Sequence, residues 1–331
     1  MRRRKTAVFA LLSTCNCRCI MCDMWKLKRE HISLQGAKEA LNFLRDNGFL
    51  VVYFTGGEPT LHPDLIEIVN YANKLGFVTS VTTNGTCSKG VIYGLREAGL
   101  YLLSVSLDHW DDEVCDKIRG VKGIKQKEEE VIRYAKDAGL KVYALTYLNP
   151  HIVGDGVEVL VKYVNRELKV PFGFCYPTYC DDGSYHLGGD LSGKELHEYV
   201  NDSVKSIYET KKKGASVANP FLYIEDVIRF NNKEVPNYYC KGGEEVVYVD
   251  WKGDVYPCFL KPKLFNMLTG DKPRFLKKVK CNECLINCFR EPSLFPQALK
   301  SPKLVSREVI HSWNDTVKLI LPKVPRHFKK A

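Results

Sequence analysis

Two hydrophobic patterns take turns along the first half of the chain. Short runs rich in β-branched and aromatic residues, at positions 6–12, 51–55, 78–83, 102–107, 142–148 and 172–176, predict six strands. Stretches of helical period separate them. Ser33 stands in N-cap position before Leu34, Ala37, Leu41 and Leu44, and Asn47-Gly48 supplies the stop. Pro63 opens a second helix that ends at Gly76, and residues 128–138 and 157–167 fit two more. The strands at 51–55 and 102–107 are apolar almost throughout, which suits a sheet covered on both faces. Repeated strand–helix units of this kind build a parallel sheet. Six are too few for a closed eight-stranded barrel, so the expected fold is α/β, a partial (β/α)6 TIM-like barrel.

The pattern changes after residue 176. A loop rich in Tyr, Cys, Asp and Gly covers 174–190, a helix is expected over 191–213, and an amphipathic stretch follows at 221–230. Alternation then returns around Trp251-Lys252-Gly253, as in a hairpin. The expected organisation is therefore a barrel over 1–190, a helical connector over 191–238, a small cysteine-rich domain over 239–290, and a basic tail over 291–331.

Composition adds two constraints. The 331 residues include 13 cysteines. A chain this long has no need of disulfide staples, and its cysteines are bunched, which points to metal. Lys and Arg exceed Asp and Glu by 49 − 39 = 10, with the excess concentrated at 261–280 and 318–330. Anionic substrates, nucleic acid and anionic lipid surfaces are all favoured by that charge, which does not choose among them. No run reaches the roughly 18 apolar residues of a membrane span. The basic-then-apolar start looks superficially like a secretory leader, but its apolar stretch is short, lacks a small-residue cleavage site and runs into cysteines, so it is read as the first strand. Cytoplasmic placement is the expectation, with the basic, apolar-interleaved tail as a candidate for peripheral contact with the cytoplasmic face of a membrane.

Cys15, Cys19 and Cys22 form a C-x3-C-x2-C loop directly after the first strand, with Cys17 inside it. Three thiolates on a short loop suit three irons of a cubane and leave a fourth iron open. A zinc site, or an electron-transfer cluster completed by a distant cysteine, is the alternative. Gly56-Gly57-Glu58-Pro59 closes the second strand, Thr83-Asn84-Gly85 the third, and Ser104, Ser106 and Asp108 fall at the end of the fourth. Together these motifs resemble the radical S-adenosylmethionine (radical SAM) superfamily. The residue before Cys22 is Met21, where an aromatic is commonest. The resemblance implies a 4Fe-4S cluster with an open site on Cys15, Cys19 and Cys22, and S-adenosylmethionine as cofactor. It further implies reductive cleavage to a 5′-deoxyadenosyl radical that abstracts a substrate hydrogen atom. Gly56, Gly57 and Glu58 then resemble the element that receives the methionine amino group, Asn84 the cofactor-binding asparagine of the family's T-N-G, Ser104, Ser106 and Asp108 the strand end where ribose hydroxyls and the cofactor carboxylate are bound, and Arg119 a partner of that carboxylate. Asn-Gly is also a common turn, Ser and Asp common caps, and Arg119 an ordinary surface charge.

Cys240 and Cys258 bracket the expected hairpin, and Cys281-x2-Cys284-x3-Cys288 follows. The spacing C-x12-G-x4-C with a later C-x2-C resembles a SPASM or shortened twitch domain. This implies a second, auxiliary 4Fe-4S cluster on Cys240, Cys258 and two of Cys281, Cys284 and Cys288, against the alternative of a zinc knuckle. Cys175 and Cys180, with Asp181, Tyr185 and His186, are candidates to line the substrate pocket, the cysteines as radical partners or as small apolar residues. Cys17, Cys87 and Cys115 carry no expected role. The reading is a radical SAM enzyme for C–H modification or C–C bond formation on a peptide or a lipid or its headgroup, reduced by a ferredoxin or flavodoxin. RNA modification or small-molecule cofactor biosynthesis, and a non-catalytic iron-sulfur or zinc binding protein, are the alternatives.

Overall fold

The computed structural model describes residues 5–178, 195–298 and 306. Six strand–helix units come first. Their strands are β1 (Lys5–Ala10), β2 (Phe49–Thr55), β3 (Val78–Thr83), β4 (Leu102–Ser106), β5 (Lys141–Tyr147) and β6 (Phe172–Cys175). All five pairings between consecutive strands are parallel. The intervening helices are α1 (Leu34–Asp46), α2 (Leu65–Lys74), α3 (Lys89–Glu97), α4 (Asp112–Arg119), α5 (Ile124–Asp137) and α6 (Asp155–Tyr163). This is the partial barrel expected from the alternating patterns.

Local chemistry explains several boundaries. The Ser33 side chain accepts a hydrogen bond from Gly36 N and caps α1. Asp111 does the same for α4 through Val114 N, and Gly120 ends that helix in the left-handed conformation. The second helix starts at Leu65, not Pro63, because Pro59–Leu61 form a separate 3-10 turn capped by Glu58. Helix α6 gives way to a π-helical turn, Val164–Leu168, where a continuous helix to residue 167 was expected.

Helices α7 (Glu195–Lys212) and α8 (Phe221–Asn231) follow, then β7 (Val246–Val249), β8 (Asp254–Tyr256), β9 (Phe265–Asn266) and α9 (Asn287–Ala298). The β7–β8 hairpin is antiparallel, with Val249 opposite Val255. Its β7 edge also pairs in parallel with β1, Ala7 opposite Val247 and Phe9 opposite Val249. One nine-stranded sheet therefore runs from β6 through β1 to β9, and the cysteine-rich segment is hydrogen-bonded into the edge of the barrel sheet.

Side-chain alternation then sorts the two faces. Val52, Phe54, Val81, Leu103, Val105 and Ala144 are fully buried in the main core, with Ala37, Leu41, Ile68, Leu95 and Ile132 of the helices. Tyr53, Thr55, Ser80, Thr82, Tyr143, Leu145 and Tyr147 instead line a cavity of about 260 Å³. The inner face is thus more polar than the apolar strand sequences suggest, and α9 lies across it through Asn287, Cys288 and Glu291.

Candidate active site at the strand ends

The three-cysteine loop follows β1 and is gripped from both sides by backbone. Gly57 N donates to Leu12 O at 2.9 Å and Glu58 N to Thr14 O at 2.8 Å. On the other flank Arg18 N donates to Arg119 O and Ile20 N to Ile118 O. Glycine is required at both contacts. A Cβ on Gly57 would lie 2.1 Å from Thr14 O, and one on Gly120, whose φ is +68°, would lie 2.4 Å from Arg18 O.

Glu58 is buried and held by four donors. Its Oε1 accepts from Thr60 N, Thr60 Oγ1 and Thr83 Oγ1, and its Oε2 accepts from Asn84 N at 2.6 Å. Burial raises its pKa, opposed by these hydrogen bonds. The carboxylate thus ties the end of β2 to the end of β3. Asn84 in turn donates from Nδ2 to Asn16 Oδ1 at 2.9 Å and stands 3.8 Å from Cys15 Sγ. Asn16, inside the cysteine loop, is a contact that the sequence motifs did not single out.

Arg119 is buried at the end of α4. Its Nε donates to Glu128 Oε1 at 3.1 Å, and Nη1 lies 3.6 Å from Cys19 Sγ and 3.3 Å from Asp108 Oδ2. Desolvation works against its charge, but Asp108, Cys19 and Glu128 outweigh it and hold the guanidinium protonated well above its ordinary value. Glu128, read from the sequence only as a helix start, has its pKa pushed up by burial to about 8, and Cys115 Sγ donates to its other oxygen at 3.5 Å. Asp108 accepts from Tyr147 N at 2.7 Å through Oδ1. Ser106 ends β4 half-buried beside it, while Ser104 is occupied by Thr82 Oγ1 at 2.7 Å.

Among the cysteines, Cys17 donates toward Cys15 and Cys19 and is itself held protonated by those bonds. The same bond lowers Cys15, and it lowers Cys19 to about 7 with help from Arg119. Burial pushes Cys22 up to about 12. No three His, Cys, Asp or Glu side chains among the described residues form a ready-made single-ion site.

The residues fit the two groups that the motifs imply. Three thiols share one loop, and Arg119 Nη2 and Asp108 Oδ2 are buried without hydrogen-bond partners. An unpartnered guanidinium donor beside a cysteine loop matches the carboxylate of an amino-acid cofactor.

The second cysteine group lies beyond the inner face. Cys240 N donates to Cys281 O at 2.9 Å, and Cys240, Cys258, Cys281, Cys284 and Cys288 pack around Phe259, Ile286 and Phe289. Burial, with Cys240, Cys258 and Cys281 adding, raises Cys284 to about 12. Cys288 is raised by burial and then by Cys175 and Glu291, and it lines the cavity together with Cys175. Cys180, Asp181, Tyr185 and His186 lie outside the described residues, as do most residues of the basic tail. No helix among the described residues is long and apolar enough to cross a membrane.

Comparisons with known proteins agree with this geometry. Residues 11–164 match the model of the radical SAM superfamily. The chain is 29% identical to Fe-coproporphyrin III synthase of Methanosarcina barkeri, over 67% of this chain and 59% of that protein. It is 26% identical to GTP 3',8-cyclase of Aquifex aeolicus, over 84% of this chain and 89% of the relative. The chain spans roughly half the length of several curated relatives it matches, as 46% and 59% coverage show. Among solved structures, Streptococcus suis SuiB bound to S-adenosylmethionine superposes with a TM-score of 0.59 at 20% identity, covering 81% of this chain and 64% of SuiB. SuiB bound to precursor peptide SuiA gives 0.55. Motifs, strand-end geometry and superfamily match converge, and residues 11–164 form a radical SAM superfamily domain.

Proposed function

We propose that this chain is a hydrogen-abstracting radical SAM enzyme whose substrate occupies the cavity inside the partial barrel. The observation that carries the reading is the position of that cavity. Tyr147, whose N–H holds Asp108 at the cofactor end, lines one part of it, and Phe259, Ile286 and Cys288 of the cysteine-rich segment line another. A substrate there lies between the two cysteine groups.

Cys15, Cys19 and Cys22 would hold the 4Fe-4S cluster with its open site, and Arg119 would take the carboxylate of S-adenosylmethionine through Nη2. Glu58 is a positioning residue, since its oxygens already serve Thr60, Thr83 and Asn84; the Gly56-Gly57 turn that it braces would approach the cofactor amino group. Asn84, Ser106 and Asp108 complete the rim. Once bound, cluster and cofactor supply a 5′-deoxyadenosyl radical for hydrogen abstraction, chemistry that belongs to the cofactors. The protein has to orient the substrate and exclude water.

Cys240, Cys258, Cys281 and Cys284 are the proposed ligands of the auxiliary cluster, with Cys288 turned to the cavity. The exposed Lys263, Lys272, Arg274, Lys277, Lys278 and Lys280 beside them would suit an acidic reductant such as a ferredoxin or flavodoxin.

The leading substrate reading is a peptide, one side chain of which fills the cavity, and it is supported by the fold shared with SuiB. A second reading, small-molecule cofactor biosynthesis, is supported by the cavity volume of about 260 Å³ and by the curated relatives. Anaerobic reconstitution with iron and sulfide, then dithionite and S-adenosylmethionine, tests the core of the proposal. About eight irons per chain and formation of 5′-deoxyadenosine are expected; iron-loaded protein that never cleaves the cofactor, even with candidate peptides and small molecules supplied, would overturn it.

A further inference from the structure

The inner cavity contains one charged residue among its described lining residues, and it is acidic. Glu291, on the second turn of α9, presents its carboxylate there. Asn219 Nδ2 donates to Glu291 Oε1 at 2.5 Å. Asn219 is itself fixed: its Oδ1 accepts from Phe174 N at 2.8 Å, its Nδ2 reaches Phe174 O at 3.1 Å, and Lys211 Nζ donates to its carbonyl at 2.6 Å. Three elements of structure, β6, α7 and the segment before α8, therefore hold Glu291 in place.

The rings of Tyr53, Tyr143, Tyr147, Tyr176 and Phe259 line the same cavity. Burying a carboxylate in such a place costs free energy unless a partner arrives. No Lys, Arg or His is among the described lining residues, and Lys211, the nearest cation acting on Glu291, stands behind Asn219 with its Nζ on backbone carbonyls. Aromatic faces attract cations through their quadrupole, and a carboxylate adds a charge-assisted hydrogen bond. Neither feature favours an anion.

We infer that the cavity recognises an organic cation: Glu291, backed by Asn219 in a cavity lined with tyrosines, is the receptor for a substrate ammonium or guanidinium group. The inference rests on reading the cavity as the substrate site, and it names the substrate class. A basic side chain of a peptide and a free small amine share that chemistry. The anchored cation would leave the remainder of the substrate directed toward Tyr147 and Cys175, on the side of Asp108 and Arg119.

The test uses the full chain with reconstituted iron and bound S-adenosylmethionine, titrated with n-pentylamine and, separately, n-pentanol by calorimetry at pH 9, above the value near 8 to which burial raises Glu291. The amine is expected to bind at least about tenfold more tightly than the alcohol, and Glu291→Gln to remove the preference. A lysine-containing tripeptide that competes with the amine would identify a peptide source, and failure to compete would leave a free amine. Equal affinity for amine and alcohol in the native protein overturns the inference while leaving the cavity a substrate site. If neither probe binds and Ala218→Trp, which fills the cavity, leaves turnover intact, both the inference and the substrate-site reading fall. The native-protein comparison does not depend on any variant folding.

Discussion

Arg119 Nε donates to Glu128 Oε1 across 3.1 Å, joining the end of one helix to the second turn of the next in a buried ion pair. The pair fixes the plane of the guanidinium, so that Nη1 faces Cys19 and Nη2 is left without a protein partner. Arg119→Lys removes the planar fork and is expected to weaken S-adenosylmethionine binding by about 10- to 100-fold, the range of a charge-assisted hydrogen bond. Glu128→Gln preserves an acceptor but removes the charge, and about a tenfold loss is expected. Equilibrium binding of the cofactor to reconstituted protein measures both; unchanged affinity in Arg119→Lys would remove Arg119 from the site.

The cysteine loop makes a sharper distinction. Cys15→Ala, Cys19→Ala and Cys22→Ala should each abolish cofactor cleavage and lower iron by about four per chain. Cys17→Ala should retain both, because Cys17 is buried under the loop as a protonated donor to its neighbours. Iron analysis with an assay for 5′-deoxyadenosine decides the assignment, and retained cleavage in any of the first three sinks it.

At the second cysteine group, Cys284→Ala should cost the auxiliary iron, about four per chain, whereas Cys288→Ala should keep it. Cys288 lines the cavity with Cys175 and with Glu291, one turn further along α9. Loss of iron in the Cys288 variant, with Cys284→Ala unaffected, would reverse the proposed ligand set.

Arg290 is fully buried and paired with Asp226 of α8, and its Nη1 donates to Cys281 O at 3.3 Å. Removing the acid strands a buried charge. Asp226→Ala is expected to destabilise the protein by about 3–5 kcal/mol, read as a fall in denaturation midpoint. It should also loosen the Cys281 backbone and so reduce auxiliary iron. A midpoint unchanged from the native protein would show that the pair has no such role.

Burial raises the Glu291 carboxyl to about 8, above its value in an unfolded chain. The folded state therefore binds more protons than the unfolded state between roughly pH 4.3 and pH 8. Its contribution to stability is fully present below that window and is lost as pH rises through it. Glu291→Gln should flatten this part of the stability–pH curve. Chemical denaturation of native and variant protein at pH 5, 6.5 and 8 provides the comparison, and parallel curves would show that Glu291 is not the group responsible.

How much of this was legible in the chain follows from the range of each interaction. The six strands could be read because the β and α patterns are local, and the Ser33 cap and Asn47-Gly48 stop act within one helix turn. The three-cysteine loop and Gly56-Gly57-Glu58-Pro59 were legible as motifs because each lies on a single turn. Spacing said nothing of Asn16 or Tyr147, which meet Asn84 and Asp108 only when separate strand ends converge, nor of Glu128, which meets Arg119 only where α5 packs on α4. The parallel pairing of β7 with β1 joins residues about 240 positions apart in the numbering, Ala7 with Val247, and no periodicity encodes such a contact.

The sequence by itself determined the parallel strand–helix repeat, the cysteine loop and the superfamily chemistry that goes with it. Hydrophobic period and motif spacing are set over a few residues, and they survive without knowledge of the rest of the chain. Only the tertiary structure decided that Glu58 serves its neighbours, that Cys288 faces inward, and that Glu291 enters the barrel. Those outcomes depend on which side of a strand or helix meets a distant element, and burial then fixes the charge and partners of each side chain.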